Sequence, residues 1–301
     1  MIRGPERYYK CPECGNLMKK GSLVSGNTIG GKRYSDGRVF AKGLRNYPRI
    51  TKCKKCQHIF WLYHEIKSKN IPEIEEDKQQ LKEWRDYKRE KPFSEKDNNE
   101  PVYPENIDYI NFLSIEDNQK ALDLNLYNTQ DEEKHLRTSI WRAFNSRVRD
   151  EKALINNESE KDLYFKNLDH LIDINLEEIE KLKKEKKEAD IRAEKDREEN
   201  KNQEVNDAIN FGPNFDKEIS NTILLVAELY RNKGDFRKSK DHLTEAKQYI
   251  NKDEFRNEYF EHQISEMEKR IDEKEQLVYL ISPLPKKPRG KDIHLGFIKL
   301  P

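Results

Sequence analysis

Cys11-Pro12-Glu13-Cys14 and Cys53-Lys54-Lys55-Cys56 decide the reading of this chain, because the two stretches hold all four of its cysteines. A C-x2-C spacing closes a short knuckle whose sulfurs converge on one point. Two such knuckles supply the four thiolates of a tetrahedral structural zinc site, so Cys11, Cys14, Cys53 and Cys56 are the expected metal ligands. Two disulfides would need an oxidising compartment, to which nothing in the sequence points. A redox thiol pair fits poorly with two matched pairs and no leftover cysteine. His58, two residues beyond Cys56, is a conceivable ligand, but four thiolates already complete the shell. With the shell closed there is no open position for a metal-bound water, and zinc catalysis is not expected.

The 38 residues between the knuckles exceed the roughly 15–20 of a common site of this kind. They read as strand and turn, with short strands at Leu23-Val24-Ser25, Arg38-Val39-Phe40 and, beyond the second knuckle, Ile59–Tyr63. Gly26-Asn27, Gly30-Gly31 and Asp36-Gly37 suit turns that require positive φ. Gly26–Lys32 also fits G-x4-G-K, the start of a phosphate-binding loop. That loop needs a Ser or Thr next and a helix running on, whereas Arg33 and then the turn Tyr34-Ser35-Asp36-Gly37 follow. A hairpin loop is the better account.

Outward from the ribbon, residues 65–104 form a charged linker punctuated by Pro72, Pro92, Pro101 and Pro104. A short helix is expected over 73–88, where Trp84 would pin it to a neighbour. From about 105 the period changes to 3.6. Ser114-Ile115-Glu116-Asp117 and Thr129-Gln130-Asp131-Glu132 look like capping boxes opening two helices. The second carries the stripe Leu136, Ile140, Ala143, Phe144 and Val148, bordered by Trp141. Its Arg137, Arg142, Arg147 and Arg149 would make either an anion-binding face or, the preferred reading, a solvated one. A third helix over 159–173 is expected to bury Leu163, Phe165, Leu168, Leu171 and Ile172, so residues 105–175 read as helical hairpins. Over 176–211 Lys and Glu dominate, which suggests an exposed helix or linker rather than a self-sufficient coiled coil.

Residues 212–280 read as tetratricopeptide-repeat-like helices. Ile223, Val226, Ala227, Tyr230, Gly234, Phe236, Ser239, Leu243 and Ala246 follow that repeat's spacing, with Gly234-Asp235 as its turn. One unit is convincing where about three are normally needed, so the helices before it and the segment 253–277 must complete its core. Residues 281–301 form a Pro- and Lys-rich tail, read as mobile in preference to a docking peptide or an anionic-surface contact.

The expected fold is thus a small β-rich four-cysteine zinc ribbon over 1–64, followed by an all-α, tetratricopeptide-repeat-like region. This layout resembles uncharacterised bacterial zinc-ribbon proteins with a helical C-terminal region. The likeness rests on Cys11-Pro12-Glu13-Cys14-Gly15 and Cys53–Cys56 at one end and Ala227–Ser239 at the other. The second knuckle departs from the usual pattern at Lys54 and Gln57. The resemblance implies the architecture and a bacterial cytoplasm, and no activity.

Composition narrows the function classes. Of 301 residues 38% are charged, well above the roughly 25% of an ordinary domain, and the mean hydropathy is −1.11. No apolar run approaches the ~18–20 residues of a membrane span, and the N-terminus lacks a signal peptide's apolar stretch, so no membrane partner and a cytoplasmic location are expected. The net charge of +1 conceals opposites. Residues 1–64 carry 14 Lys and Arg against 3 Asp and Glu, a formal +11, while residues 65–301 carry 44 against 54.

Three function classes follow. A non-enzymatic interaction protein would dock a protein partner through its helical repeats, and this is the preferred reading. A nucleic-acid-binding protein would use the basic ribbon with Tyr8, Tyr9, Tyr34, Phe40, Tyr47 and Trp61 as stacking rings. Against it, four thiolates and Zn2+ together carry −2, Lys52, Lys54 and Lys55 would partly offset that charge, and aromatics also build a small ribbon's core. An enzyme has the least support. His64-Glu65 is followed by Ser68 rather than completing HExxH, there is no nucleophile elbow, and no cysteine is left over.

Overall fold

The computed structural model describes residues 2–28, 30–41, 44, 46–63, 107–199, 214–250 and 258–281. They contain eight strands and six helices. By contacts the chain forms two compact units: residues 1–31 with 40–144, and residues 32–39 with 145–301.

In the first unit β1 (Ile2–Lys10) and β2 (Leu17–Ser25) make an antiparallel hairpin, and β7 (Asp108–Tyr109) adds in parallel to β2. Pro5 sits in β1 because the strand is an edge and the register shifts between Gly4 and Arg7, so no ladder hydrogen bond is demanded of it. A second hairpin joins β5 (Ile50–Lys52) to β6 (Ile59–Trp61). Helices α1 (Ile115–Asp123) and α2 (Gln130–Arg149) follow, α2 passing into the second unit after Phe144. Ser114 caps α1 by accepting from the Asp117 N–H, and Thr129 Oγ1 accepts from the Glu132 N–H at the start of α2, as the sequence predicts. Leu136, Ile140, Trp141 and Phe144 are buried, whereas Ala143 and Val148 are half-buried.

The second unit is helical: α3 (Glu158–Glu199), α4 (Phe215–Lys233), α5 (Phe236–Ile250) and α6 (Glu258–Asp272). Sequential neighbours pack together, α3 on α4, α4 on α5 and α5 on α6. The expected break near residue 175 is absent. Ile174 and Asn175 are both buried, the Asn175 amide donates to the Leu171 carbonyl, and α3 runs on for 42 residues. Tyr164 and Asn167 are buried on α3, where Leu163 and Phe165 are only half-buried.

Gly234, at φ +86°, ends α4 in the left-handed conformation, and Asp235 caps α5 by accepting from the Lys238 N–H. Ala227 is fully buried beneath α5, so close that Ser239 Oγ donates to its carbonyl at 2.7 Å. Tyr230 stacks on His242 at 5.4 Å.

Residues 32–39 also belong to this unit. Strand β3 (Lys32–Tyr34) lies between β4 (Val39–Phe40) and β8 (Leu280–Ile281). The tight hairpin is therefore the turn at 34–38, where the Tyr34 N–H donates to the Arg38 carbonyl. Gly26–Lys32 instead links strands of two different sheets, and no helix follows it. The expected helix over 73–88, the linker 65–104 and the tail beyond 281 lie outside the described residues.

Candidate metal centre

Each knuckle is the connection of one antiparallel hairpin. The first follows β1 and leads into β2, with Lys10 paired to Leu17; the second follows β5 and leads into β6, with Lys52 paired to Ile59. Their backbones repeat the same bonds. The Cys11 N–H donates to the Asn16 carbonyl at 2.9 Å and the Gly15 N–H to the Cys11 carbonyl at 2.9 Å. In the second knuckle the Cys53 N–H donates to His58 at 2.8 Å and the Gln57 N–H to Cys53 at 2.9 Å. Gly15 (φ +69°) and Gln57 (φ +63°) occupy equivalent left-handed positions after the second cysteine. Glycine is at ease there; Gln57 is held partly by its side-chain amide, which donates to the Lys54 carbonyl at 2.9 Å.

The four sulfurs lie within 4.8 Å of one another. Across the knuckles Cys11 and Cys56 are 3.5 Å apart, and Cys14 and Cys53 are 3.6 Å apart. A tetrahedral ion with metal–sulfur bonds of about 2.3 Å needs sulfurs about 3.8 Å apart, so these residues fit such an ion. Cys11 and Cys53 are buried among Tyr9, Met18 and Ile110, while Cys14 and Cys56 are half-buried.

Backbone N–H groups aim at the sulfurs. Burial pushes the Cys11 thiol up against the pull of the Cys14 and Glu13 N–H groups. Burial also acts on Cys53, but the Cys56 and Lys55 N–H groups and two neighbouring thiols bring it down to about 7. Cys56 accepts from the His58 N–H, yet burial and sharing of protons with the other three thiols push it up to about 12. A bound cation would displace the protons that Cys11 and Cys56 hold. His58 stands outside the group, its ring stacked on Phe60 at 6.1 Å.

The other candidate residues are drawn elsewhere. Of the six rings proposed for stacking, Tyr8 and Tyr9 are buried, Tyr34 and Tyr47 are half-buried, and Phe40 is exposed. Trp61 is half-buried; its indole N–H donates to the Leu126 carbonyl, and it packs on His135 at 5.6 Å. Four of the ribbon's fourteen Lys and Arg meet carboxylates within their own unit: Lys19 pairs with Glu6 (3.1 Å), Arg49 with Asp131 (3.0 Å), Lys52 with Asp117 (2.6 Å) and Lys54 with Asp108 (2.7 Å). Lys55 is exposed. Nor do the α2 arginines form a solvated row. Arg137 pairs with Glu133, Arg147 with Glu160, and Arg149 with Asp36, while Arg142 is half-buried.

Two buried polar centres in the helical unit escaped the sequence reading. Asp36, fully buried, accepts from Arg149 at 2.6 Å, from the Asn145 amide at 3.4 Å and from the Arg38 N–H at 3.1 Å. Ser35 and Tyr279 exchange backbone and side-chain bonds beside it. In α4, Arg231 is fully buried on Glu228 (2.7 Å) and donates to the carbonyls of Glu275 and Leu277. The Ser-Asp-Gly turn was legible as a turn; no local signal marks its partner, because the guanidinium lies more than a hundred residues away.

Among the described residues no helix is long and apolar enough to cross a membrane. No protein-family model matches the chain, and neither a curated protein nor a solved structure matches it.

Proposed function

We propose that this chain is a non-enzymatic, zinc-stabilised interaction protein that docks a protein partner through its helical unit. Zinc is the ion assigned to Cys11, Cys14, Cys53 and Cys56, since four thiolates in a tetrahedron suit a soft, redox-inert cation and leave it no open position. The observation that carries the docking role is the α4–α5 pair. It turns on left-handed Gly234, closes over the small Ala227, and has the spacing of a tetratricopeptide-like repeat. Stacked helix pairs of that kind present an extended surface to a peptide or helix. Nucleic-acid binding through residues 1–64 is the second reading. It has less support, since Arg49, Lys52 and Lys54 already meet carboxylates and most of the rings are at least half-buried.

Affinity purification of the full chain from its native cell, with proteins and nucleic acids both identified, tests the choice. A nuclease-resistant protein partner, lost on overpacking Ala227, is expected; recovery of nucleic acid alone overturns the docking role. Metal analysis tests the ion. One zinc per chain is expected, reduced in both Cys11→Ala and Cys53→Ala; undiminished zinc in both would remove the assignment.

A further inference from the structure

The four cysteines are not equivalent, and their inequality is paired. Cys11 is buried and its neighbour across the knuckles, Cys56, is half-buried; Cys53 is buried and its neighbour, Cys14, is half-buried. Each close pair therefore holds one sulfur open to a small solute and one shielded sulfur within 3.6 Å of it. An oxidisable thiol beside a resolving thiol is the arrangement of a reversible thiol switch. We propose that the centre is such a switch, in which hydrogen peroxide converts the four thiolates into the cross-knuckle disulfides Cys11–Cys56 and Cys14–Cys53 and expels the metal.

In the zinc-bound centre all four sulfurs are thiolates, and in each pair the half-buried one attacks the peroxide O–O bond, becoming a sulfenic acid as one water leaves. The shielded sulfur then attacks that sulfenic sulfur, forming the S–S bond and releasing a second water. Each pair gives up two electrons and each peroxide takes two. For the whole centre, two peroxides and four protons consume the four zinc-bound thiolates, yielding two disulfides, one Zn2+ and four waters.

The pairing follows from the cross-knuckle geometry, and chain connectivity makes those bonds the more stabilising ones. The sulfurs already face each other across the knuckles, Cys11 on Cys56 at 3.5 Å and Cys14 on Cys53 at 3.6 Å. A bond from Cys11 to Cys14 closes a loop of three residues and constrains the unfolded chain little. The cross-knuckle bonds span 45 and 39 residues and restrict it far more. They also keep the β1–β2 and β5–β6 hairpins joined where the ion joined them. Metal and disulfides are thus alternative closures of one node, and the ribbon keeps its fold in either state.

The test uses the full chain in two forms. The release arm rests on the zinc reading: zinc-loaded protein is treated with hydrogen peroxide, and metal appearing in solution is read with a chromogenic chelator. The pairing arm is independent of which metal is native: metal-free protein takes two equivalents of peroxide, and its disulfides are mapped by mass spectrometry of unreduced peptides. Expected are one zinc released per chain, Cys11–Cys56 and Cys14–Cys53 as the dominant bonds, and full recovery of zinc binding after reduction. Dominant Cys11–Cys14 and Cys53–Cys56 bonds, or sulfinic acids in place of disulfides, overturn the pairing. Metal retained while peroxide is consumed overturns the switch.

Discussion

Replacing Asp36 by alanine is expected to cost the helical unit more than any surface change in the chain. The Asp36 side chain is fully buried and that of Arg149 is 6% exposed. Removing the carboxylate strands the Arg149 guanidinium with the Arg38 guanidinium nearby, both reaching for Ser146 Oγ at 3.1 and 3.3 Å. Burial and the Arg149 charge already pull Arg38 below the usual guanidinium range. Breaking a buried pair from one side costs about 3–5 kcal/mol. With a urea slope of about 2 kcal/mol per molar, the unfolding midpoint should fall by about 1.5–2.5 M. Far-ultraviolet circular dichroism through a urea titration reads this directly, because the unit is helical. Arg149→Met should lose a similar amount, and the double variant should lose less than the sum by at least about 1.5 kcal/mol. Lys161→Met, which breaks an exposed pair with Glu158, serves as the control and should change stability by under about 1 kcal/mol. A loss below about 1 kcal/mol in Asp36→Ala, or strict additivity in the double variant, would refute the reasoning.

The remaining predictions concern other parts of the molecule. Gln57→Gly should stabilise the metal-loaded ribbon by about 0.5–1 kcal/mol in thermal unfolding, because it relieves a left-handed residue while losing one exposed amide bond. Ala227→Leu should cost about 1–3 kcal/mol by overpacking the α4–α5 contact, whereas Ser239→Ala should cost no more than about 1.5 kcal/mol. Burial, together with the Arg49 and Arg142 charges, holds the His135 imidazole down to about 4 from an unperturbed 6.5. Between those values the unfolded chain takes up the proton first, so this residue's contribution to stability is complete above pH 6.5 and declines down to pH 4. His135→Leu should flatten that part of the pH profile, and an NMR titration midpoint for His135 near 6.5 would contradict the cause given.

What could be read in advance depended on the distance over which each signal acts. The two knuckles, the Ser114 and Thr129 caps and the Gly234 turn are written in residues a few places apart, and all appear where the spacing puts them. Strand β1 was missed because Pro5 argues against a strand, and only the register shift at an edge explains it. The continuity of α3 through Asn175 was missed because a polar residue in a thinning stripe looks like an end, when its amide in fact bonds back to Leu171. Charge misled most. A formal +11 over 1–64 reads as a surface for phosphates, yet Asp108, Asp117 and Asp131, supplied from beyond residue 65, sit on Lys54, Lys52 and Arg49. Composition counts charges, and only the fold says which of them face each other.

The turn at Ser35-Asp36-Gly37 has a consequence for the order in which the protein is made. Its partners come far later in the chain, Arg149 by 113 residues and Tyr279 by 244. At a synthesis rate of about 5–20 residues per second, the turn waits roughly 10–50 seconds before Tyr279 exists. The ribbon's cysteines are already present and can close, but Asp36 has no seat until Arg149 is made, roughly 6–23 seconds after it. A fragment beginning after residue 64 would have the opposite defect, since it carries every helix of the described residues yet lacks the carboxylate that Arg149 holds and the strand that β8 pairs with. The helical unit is thus a discontinuous one, finished only when residues 279–281 reach back to residues 33–35, made more than two hundred residues earlier.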